Sequence, residues 1–392
     1  MNSLSNPFFE NTETAFAYKT NKALKNALFI FSVVNRPWIS KCATALVKGM
    51  LGLNLPIGGI IKKTVFYHFC GGEDIEQCEG VVKGMGKYGV KAILDYSVEG
   101  EKTESGFEKT TQEILKTIEK ASPSANVPFA VFKVSGMVSA QLLEKIQSGE
   151  KLEEEDGAAY KTFKDRFERI CKKAYDCSVP VMVDAEETWI QKPVDELVLE
   201  MMAKYNREQA LVFTTYQLYR IDALAELKDA LHKARLNGYF FGVKLVRGAY
   251  MEKERKRADE MGYKRPIHPD KASTDQAFND ALSFCVENID RVSVMCASHN
   301  EESNFFFTGL MEKKGLSPDD KRCWFAQLYG MGDHISFNLA GKGFLVAKYV
   351  PYGPVTSVMP YLFRRAEENT SVQGQSSREL NLIKQEIKRR NL

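Results

Sequence analysis

The sequence lacks the short motifs that mark the commonest enzyme classes. Its eight cysteines form no CxxC pair, its five histidines show no HExxH or similar ligand spacing, and neither a GxSxG nor a P-loop motif occurs. These absences argue against a metal site, a serine hydrolase and an NTPase. Several cysteines lie in apolar runs, so we expect them to be reduced and mostly buried, in a reducing compartment.

The chain also has little that would direct it into or across a membrane. Residues 1–10 are polar and lack the apolar h-region of a signal peptide. The uncharged stretch at residues 49–61 is too short and too rich in Gly and Pro to span a bilayer. We therefore predict a cytoplasmic location. The net charge of +3 is too small to indicate nucleic acid binding.

Basic residues are concentrated near the N-terminus. Before residue 70 the only acids are Glu10 and Glu13, whereas the bases are Lys19, Lys22, Lys25, Arg36, Lys41, Lys48, Lys62 and Lys63. Apolar runs such as residues 28–34 interleave with these bases. We expect a helix packed on the main domain, and peripheral contact with the inner membrane face is the alternative.

From residue 89 onward, short apolar runs alternate with longer amphipathic runs. The predicted strands are residues 90–96, 128–134, 179–184, 211–215, 240–246, 292–297, 323–328 and 344–349. The predicted helices include residues 104–121, 160–175, 193–206, 222–234, 273–288 and 301–313. Continuously apolar strands alternating with helices indicate a parallel sheet, and eight such units favour an α/β fold of the TIM (βα)8 barrel type.

This barrel would occupy residues 73–375, after an N-terminal helical arm (1–72) and before a C-terminal amphipathic tail helix (376–392). Residues 84–89 match GxGxxG, but they precede a strand instead of following one. We interpret them as a helix-to-strand connection, because a dinucleotide-binding turn needs the order strand, glycines, helix.

Polar side chains end every predicted strand, which is where the active sites of such barrels lie. They are Asp95, Lys133, Asp184, Thr214 with Tyr216 and Gln217, Lys244 with Arg247 and Tyr250, Ser298 with His299 and Asn300, Gln327, and Tyr349. Any one of them could be a solvated loop residue. A polar terminus on all eight strands predicts a site at this end of the barrel.

A predicted helix near the C-terminus carries its charges in an unusual order. In YLFRRAEEN (361–369), Arg364 and Arg365 precede the two glutamates, whereas a stable surface helix places acids first. Adjacent arginines near a helix start repel each other unless an anion lies between them, and they can grip a carboxylate by forked hydrogen bonds. A solvated charged face is the alternative.

The candidate residues together describe a cationic pocket with apolar walls. Lys133 would add a third cation to the two arginines, Asp184 could orient a lysine or an arginine, and Tyr250, Tyr349 and Leu328 could form the walls. In residues 244–250 (KLVRGAY), cations stand beside a glycine that lets backbone approach a ligand. No nucleophile is obvious, so redox chemistry by a bound organic cofactor fits best. A Schiff-base lyase or aldolase using Lys133 or Lys244, and a non-catalytic binding scaffold, are the alternatives.

Ordered motifs along most of the chain resemble the proline dehydrogenase family. They are FYHFCGGED (66–74), KYGVKAILDYSVE (87–99), KLVRGAY (244–250), ASHNE (297–301), QLYGMG (327–332), KYVPYGP (348–354) and YLFRRAEEN (361–369). The resemblance implies a distorted TIM barrel that binds FAD, with its eighth helix over the strand ends. It further implies oxidation of L-proline to 1-pyrroline-5-carboxylate by hydride transfer to FAD. The electrons would then pass to a membrane quinone, as the first step of proline degradation to glutamate.

The resemblance also assigns roles to residues. Those implied around the substrate are Arg364, Arg365 and Lys133 on the carboxylate, Tyr349, Tyr250 and Leu328 around the ring, Tyr361 and Glu368 on the capping helix, and Asp184 in support. Those implied around FAD are Thr214, Lys244, Val246, Gly248, Ala249, Thr274, Ser298 and His299. Lys244 stands where many bacterial members have Arg and where the branch with the mitochondrial enzymes has Lys.

Two further expectations follow from the resemblance. The chain ends soon after the barrel, so we do not expect the aldehyde dehydrogenase module of the fused bifunctional enzymes. Hydroxyproline dehydrogenase shares the motif set and is the nearest alternative. A small residue replaces Tyr349 in that relative, so the tyrosine here favours proline.

Overall fold

Eight parallel strands form a closed barrel in chain order. The structure is a computed structural model that describes residues 7–34, 36, 58–97, 102–371 and 375–392. The strands are β1 Val90–Tyr96, β2 Phe129–Phe132, β3 Val181–Val183, β4 Val212–Gln217, β5 Phe241–Val246, β6 Val292–Ala297, β7 Cys323–Leu328 and β8 Val346–Tyr352. The predicted (βα)8 TIM barrel is confirmed.

Helices precede, separate and follow the strands. Those before β1 are α1 Thr12–Phe16, α2 Asn21–Val34, α3 Gly58–Ile61, α4 Tyr67–Phe69 and α5 Ile75–Gly86, with a π-helical stretch at Lys62–Phe66. Those between strands are α6 Glu104–Ala121, α7 Ala140–Ser148, α8 Glu154–Asp176, α9 Thr188–Tyr205, α10 Ala223–Leu236, α11 Met251–Met261, α12 Lys271–Glu287, α13 Glu301–Lys313 and α14 Asp333–Gly341. After β8 come α15 Met359–Ser371 and α16 Gln375–Arg389.

The strand predictions succeed because the strands are apolar on both faces. Every residue of β2, β3, β4 and β8 is buried, as expected for strands whose two faces are both covered. The predicted bounds of β1, β6 and β7 are confirmed. β8 extends beyond its predicted end because its pairing with β1 continues through Pro351 and Tyr352.

Two helices begin five or six residues earlier than predicted because polar side chains form hydrogen bonds with backbone N–H groups of their first turns. α8 begins at Glu154, six residues before the predicted start, where Glu153 and Asp156 form a capping box. α9 begins at Thr188 and not at residue 193, because Glu254 accepts hydrogen bonds from the Thr188 backbone N (2.8 Å) and Oγ1 (2.6 Å). The partner that caps α9 lies on α11, so no local pattern could have shown it.

The structure also bears on the GxGxxG match, on the cysteines and on the prediction that no segment spans a membrane. α5 ends at Gly86 and β1 begins at Val90, so the GxGxxG match is the predicted helix-to-strand connection. Of the seven described cysteines, six are buried and Cys177 is half-buried; Cys42 lies outside the described residues. None of the helices in the described ranges combines the length and the apolar content that crossing a membrane requires.

The chain divides into two compact units. The terminal unit comprises Met1–Glu99, His299–Glu302 and Ala326–Leu392, and the central unit comprises Gly100–Ser298 and Ser303–Phe325. In the terminal unit, α2 buries Leu24, Ala27, Ile30 and Phe31 in an apolar cluster that also includes residues of α15 and α16. The basic arm therefore contributes a packed helix to this unit. The domain boundaries at residues 72 and 376 stay a prediction.

Candidate active site

An aspartate between two lysines lies at the ends of the central unit's strands. Lys133 directly follows β2, Asp184 directly follows β3, and Lys244 lies on β5. The Lys244 ammonium donates to Asp184 Oδ1, and Lys133 Nζ lies 3.3 Å from Oδ2. These three residues are called the Asp184 cluster below.

The Asp184 carboxyl is held in its ionised form. Burial alone would raise its pKa, but the charges of Lys244 and Lys133 and their hydrogen bonds outweigh burial and keep the pKa below its usual range. The lysine ion pairs in turn favour the charged ammonium forms. The cluster therefore places two fixed cations around one anion, a formal net charge of +1.

Glu186, two residues after Asp184, organises the neighbouring loops. Its carboxylate accepts hydrogen bonds from the Tyr250 hydroxyl (3.1 Å) and from the backbone N of Ser135, which lies two residues after Lys133 (3.1 Å). Burial and the charge of Glu187 raise the Glu186 pKa to about 7, against the lowering effect of the Ser135 hydrogen bond. Sequence analysis did not single out Glu186, because it stands in the acidic run of residues 184–187, where burial cannot be inferred.

The backbone after β5 is fixed by Gln217. Its Nε2 donates to the Glu186 carbonyl oxygen (2.7 Å), and its Oε1 accepts from the Ala249 backbone N (3.2 Å). Gly248 has φ +139°, and a Cβ there would lie 2.4 Å from Cδ1 of Tyr219. The Tyr219 ring therefore leaves no room for a side chain at position 248. This contact explains the glycine independently of the predicted approach to a ligand.

Arg247 joins the ends of β5 and β6. Its guanidinium donates to Asp275 Oδ1 (2.7 Å), Ser298 Oγ (2.6 Å) and Ser303 Oγ (2.9 Å), and it lies over the Phe278 ring. This network holds Ser298, one of the predicted cofactor contacts. Arg247 was noted in the sequence only as a cation, because its acceptors lie 28 to 56 positions away.

The other predicted cofactor residues of the central unit lie on the same elements. Thr214 is buried on β4, and Val246 is the last residue of β5. Thr274 is buried at the start of α12, where its hydroxyl donates to the Asp270 carbonyl oxygen (3.2 Å).

In the terminal unit, His299 contacts the end of β7. Its Nε2 accepts a hydrogen bond from the Leu328 backbone N (3.1 Å). Burial, the charges of Lys348 and Arg365, and His334 lower the His299 pKa to about 3, so the ring is neutral at physiological pH. A Cβ on Gly332 would lie 2.8 Å from His299 Nδ1, so glycine at this position leaves room for the ring.

The predicted substrate residues of the terminal unit lie on β7, β8 and α15. Tyr349 is buried on β8, and Leu328, the last residue of β7, packs against the apolar cluster that contains Tyr361. Arg365 is buried with its guanidinium 5.1 Å from the Tyr361 ring centroid, while Arg364 is half-buried. The two arginines are the sixth and seventh residues of α15. Glu368 also lies on α15, but its side chain is outside the described residues.

A second aspartate with two lysines lies in the terminal unit. Asp333 Oδ1 is 2.8 Å from Lys348 Nζ, and its Oδ2 is 3.1 Å from Lys19 Nζ. The Tyr18 hydroxyl also donates to Oδ2 (2.9 Å). Lys19, Asp333 and Lys348 are called the Asp333 cluster below. Sequence analysis did not identify it, since Lys19 belongs to the basic arm, more than 300 positions from Asp333.

The fold and these residues define a barrel enzyme with charged and aromatic groups at the carboxyl ends of its strands. The chain belongs to the proline dehydrogenase family, whose model matches residues 78–378. The resemblance of the motifs is thereby confirmed, and the protein is an oxidoreductase of this family.

Two curated proteins are similar to most of the chain, and one of them is a proline dehydrogenase by name. The chain is 38% identical over 322 residues to the carbapenem antibiotics biosynthesis protein CarD of Pectobacterium carotovorum subsp. carotovorum, covering 82% of this chain and 83% of that protein. It is 32% identical over 384 residues to mitochondrial proline dehydrogenase 1 of Dictyostelium discoideum, covering 87% of this chain and 67% of that protein.

A solved structure supports the fold independently. The crystal structure of proline utilization A from Bdellovibrio bacteriovorus, inactivated by N-propargylglycine, superposes with a TM-score of 0.72 at 22% identity. The superposition covers 95% of this chain but 40% of that chain, so this chain spans less than half the length of the solved protein. At this identity the likeness establishes the fold alone.

Proposed function

We propose that the protein oxidises L-proline to 1-pyrroline-5-carboxylate with FAD as the hydride acceptor. The electrons would pass to a membrane quinone, and the reaction would be the first step of proline degradation to glutamate. Membership of the proline dehydrogenase family supports the substrate. The observation that carries the proposal is the Asp184 cluster, in which a half-buried carboxylate contacts two lysine ammonium groups at strand ends.

The residues present suit an anionic flavin nucleotide. Around the ends of β4 to β6, the central unit offers the buried Lys244 ammonium, the hydroxyls of Thr214 and Ser298, and backbone at Val246, Gly248 and Ala249. Thr274 on α12 and His299 in the terminal unit complete the proposed FAD contacts. FAD supplies the hydride acceptor, which none of the side chains can provide.

The remaining proposed residues bind and orient the substrate. Lys133, Arg364 and Arg365 would hold the proline carboxylate by charge-assisted hydrogen bonds, with Tyr361 and Glu368 beside them. Asp184 keeps Lys133 oriented. Tyr250, Tyr349 and Leu328 would surround the ring, exclude water and direct C5 toward the cofactor. Loss of the hydride from C5 and of a proton from the ring nitrogen leaves the C5=N double bond, and water can take the proton.

The charge state of the lysines argues against the Schiff-base alternative. An amine must be neutral to attack a carbonyl carbon, whereas both lysines of the cluster contact the ionised Asp184. The buried Tyr349 supports proline over hydroxyproline, because a tyrosine fills the space that a 4-hydroxyl would need. Tyr349→Ser should therefore narrow the ratio of kcat/KM for proline over trans-4-hydroxyproline, by about 1–3 kcal/mol in transition-state terms.

An absorption spectrum tests the proposal directly. The purified protein should be yellow, and anaerobic L-proline should bleach the visible flavin bands, while acid should release the FAD. A colourless protein that fails to take up FAD would contradict the cofactor. A yellow protein bleached by hydroxyproline but not by proline would contradict the substrate.

Peripheral membrane contact belongs to the proposal as well. On α2, Lys22 and Lys25 are exposed, and Phe29 exposes 62% of its surface. Exposed cations beside an aromatic ring suit an anionic lipid surface. Co-sedimentation with anionic vesicles, compared with neutral vesicles, would test it.

A further inference from the structure

The turn between β7 and α14 is held by side chains on its main-chain atoms. The backbone N of Leu328 donates to His299 (3.1 Å), and Lys348 Nζ donates to the carbonyl oxygens of Leu328 (3.2 Å) and Met331 (2.6 Å). The backbone N of Gly332 donates to both carboxylate oxygens of Glu379 on α16 (3.0 and 3.1 Å). The position of Leu328 therefore depends on His299 and Lys348.

Lys348 can hold the turn only while its own charge is balanced. Its side chain is 0% exposed, and burial lowers its pKa, while Asp333 opposes this effect. A buried ammonium without a counter-ion is costly, so Asp333 is required. The Asp333 carboxylate in turn accepts a hydrogen bond from the Tyr18 hydroxyl and contacts the Lys19 ammonium. These two contacts fix the position of the carboxylate and favour its ionised form.

Charged residues from both ends of the chain lie around this turn. The cations Lys19 and Lys348 contact Asp333, and the carboxyl of Glu379 lies at the same turn. Burial raises the Glu379 pKa, while the charges of His334 and Lys348 and the Gly332 hydrogen bond oppose this effect. Tyr18 is stacked on Phe337 of α14 at 4.3 Å between ring centroids, which anchors the arm against the same helix. The N-terminal arm thus reaches the turn through an uninterrupted series of contacts.

We infer that Lys19 and Tyr18 are positioning residues for the substrate pocket, acting through Asp333 and Lys348 on Leu328. The inference rests on the proposed function, in which Leu328 forms one wall around the proline ring. A wall that shifts would admit a larger ring more easily and bind proline less tightly. The predicted consequence is a change in ring-size selectivity caused by a residue of the N-terminal arm.

The test compares Lys19→Met with Lys22→Met, a matched substitution at an exposed lysine of the same arm. Steady-state rates with a soluble electron acceptor are measured for L-proline and for L-pipecolate, its six-membered-ring homologue, together with flavin content. Lys19→Met should raise the KM for proline about 3- to 10-fold with kcat within about 2-fold, and lower the proline-to-pipecolate ratio of kcat/KM by a similar factor. Lys22→Met should match the wild type, and Lys19→Arg should restore most of the ratio.

A folded, flavin-loaded Lys19→Met variant with the selectivity of Lys22→Met would overturn the inference. If Lys19→Met does not fold, Tyr18→Phe removes only the hydroxyl bonded to Asp333. It should shift the ratio in the same direction by about 2-fold, and an unchanged ratio overturns the inference. A wild-type enzyme that does not oxidise proline would instead overturn the proposed function. The wild type therefore tests the proposed function, and the variants test the inference.

Discussion

The Asp184 cluster and the Asp333 cluster have the same composition but different surroundings. In each, two lysines contact one aspartate, and burial opposes ionisation of that aspartate while the lysine charges lower its pKa. The Lys133 side chain is 17% exposed, whereas the Lys348 side chain is 0% exposed. The Lys19 side chain is 8% exposed. The most exposed cation of the two clusters is therefore Lys133, and the least exposed is Lys348.

The two clusters differ in their hydrogen bonds and not in their formal charge. The three groups of each cluster carry a formal net charge of +1, and a buried glutamate, Glu186 or Glu379, lies near each of them. Lys348 also donates to two main-chain carbonyl oxygens. Identical residue types thus hold a backbone turn in the terminal unit and, under the proposed function, help to bind the substrate carboxylate in the central unit. Exposure and the backbone contacts of Lys348, not composition, separate the two uses.

The largest expected effect is on stability, from removing the carboxylate charge of each cluster. Asp333→Asn leaves Lys348 buried without its counter-ion and should lower the free energy of unfolding by about 3–5 kcal/mol. Asp184→Asn should cost less, about 1–3 kcal/mol, because Lys133 can be hydrated even though Lys244 stays buried. Chemical denaturation of both variants measures the difference. Equal losses in the two variants would contradict the distinction drawn from exposure.

A second comparison removes one lysine from each cluster. Lys133→Met should raise the KM for proline about 10- to 150-fold, corresponding to about 1.5–3 kcal/mol for a lost charge-assisted hydrogen bond, with flavin content retained. Lys348→Met should mainly destabilise the protein, since Asp333 and two carbonyl oxygens lose a donor. Normal proline affinity in the Lys133 variant would remove Lys133 from the substrate site.

The barrel could be predicted from the sequence because its signal is local. Strands such as β1 and β6 are short, mainly apolar runs with helices on either side, so their length and their flanking residues predict their bounds. The start of α9 could not be predicted, because it depends on Glu254, 66 positions away. A cap that a distant residue supplies leaves no pattern in the segment where the helix begins.

Whether a site residue could be predicted also depends on whether its sequence signal is local. Lys133, Asp184 and Lys244 were candidates because each stands at or near the end of an apolar strand, and the structure brings them together. Lys19 was assigned to a basic arm, because a lysine that pairs with a distant aspartate looks the same in sequence as a solvated one. Glu186 was missed for a similar reason, since its neighbour Glu187 is only partly buried and is equally acidic.

The smallest expected effect concerns the buried glutamate beside each cluster. Burial raises the pKa of both Glu186 and Glu379, and that of Glu186 rises to about 7, within the accessible pH range. Its folded-state pKa is above the ordinary value of 4.5, so the folded state binds more protons than the unfolded state between these values. Ionisation of Glu186 therefore costs stability as the pH rises from 4.5 to about 7, and Glu186→Gln should remove that dependence.

The same ionisation should affect activity through Tyr250. Glu186 faces Glu187 and Lys133 as charged groups, and its ionised carboxylate is the stronger acceptor for the Tyr250 hydroxyl. A charged acceptor is worth about 1 kcal/mol more than a neutral one, roughly fivefold in rate. As the pH rises through 7, kcat/KM of the wild type should increase about fivefold relative to Glu186→Gln. Parallel profiles for the wild type and Glu186→Gln would mean that Tyr250 is held without help from the Glu186 charge.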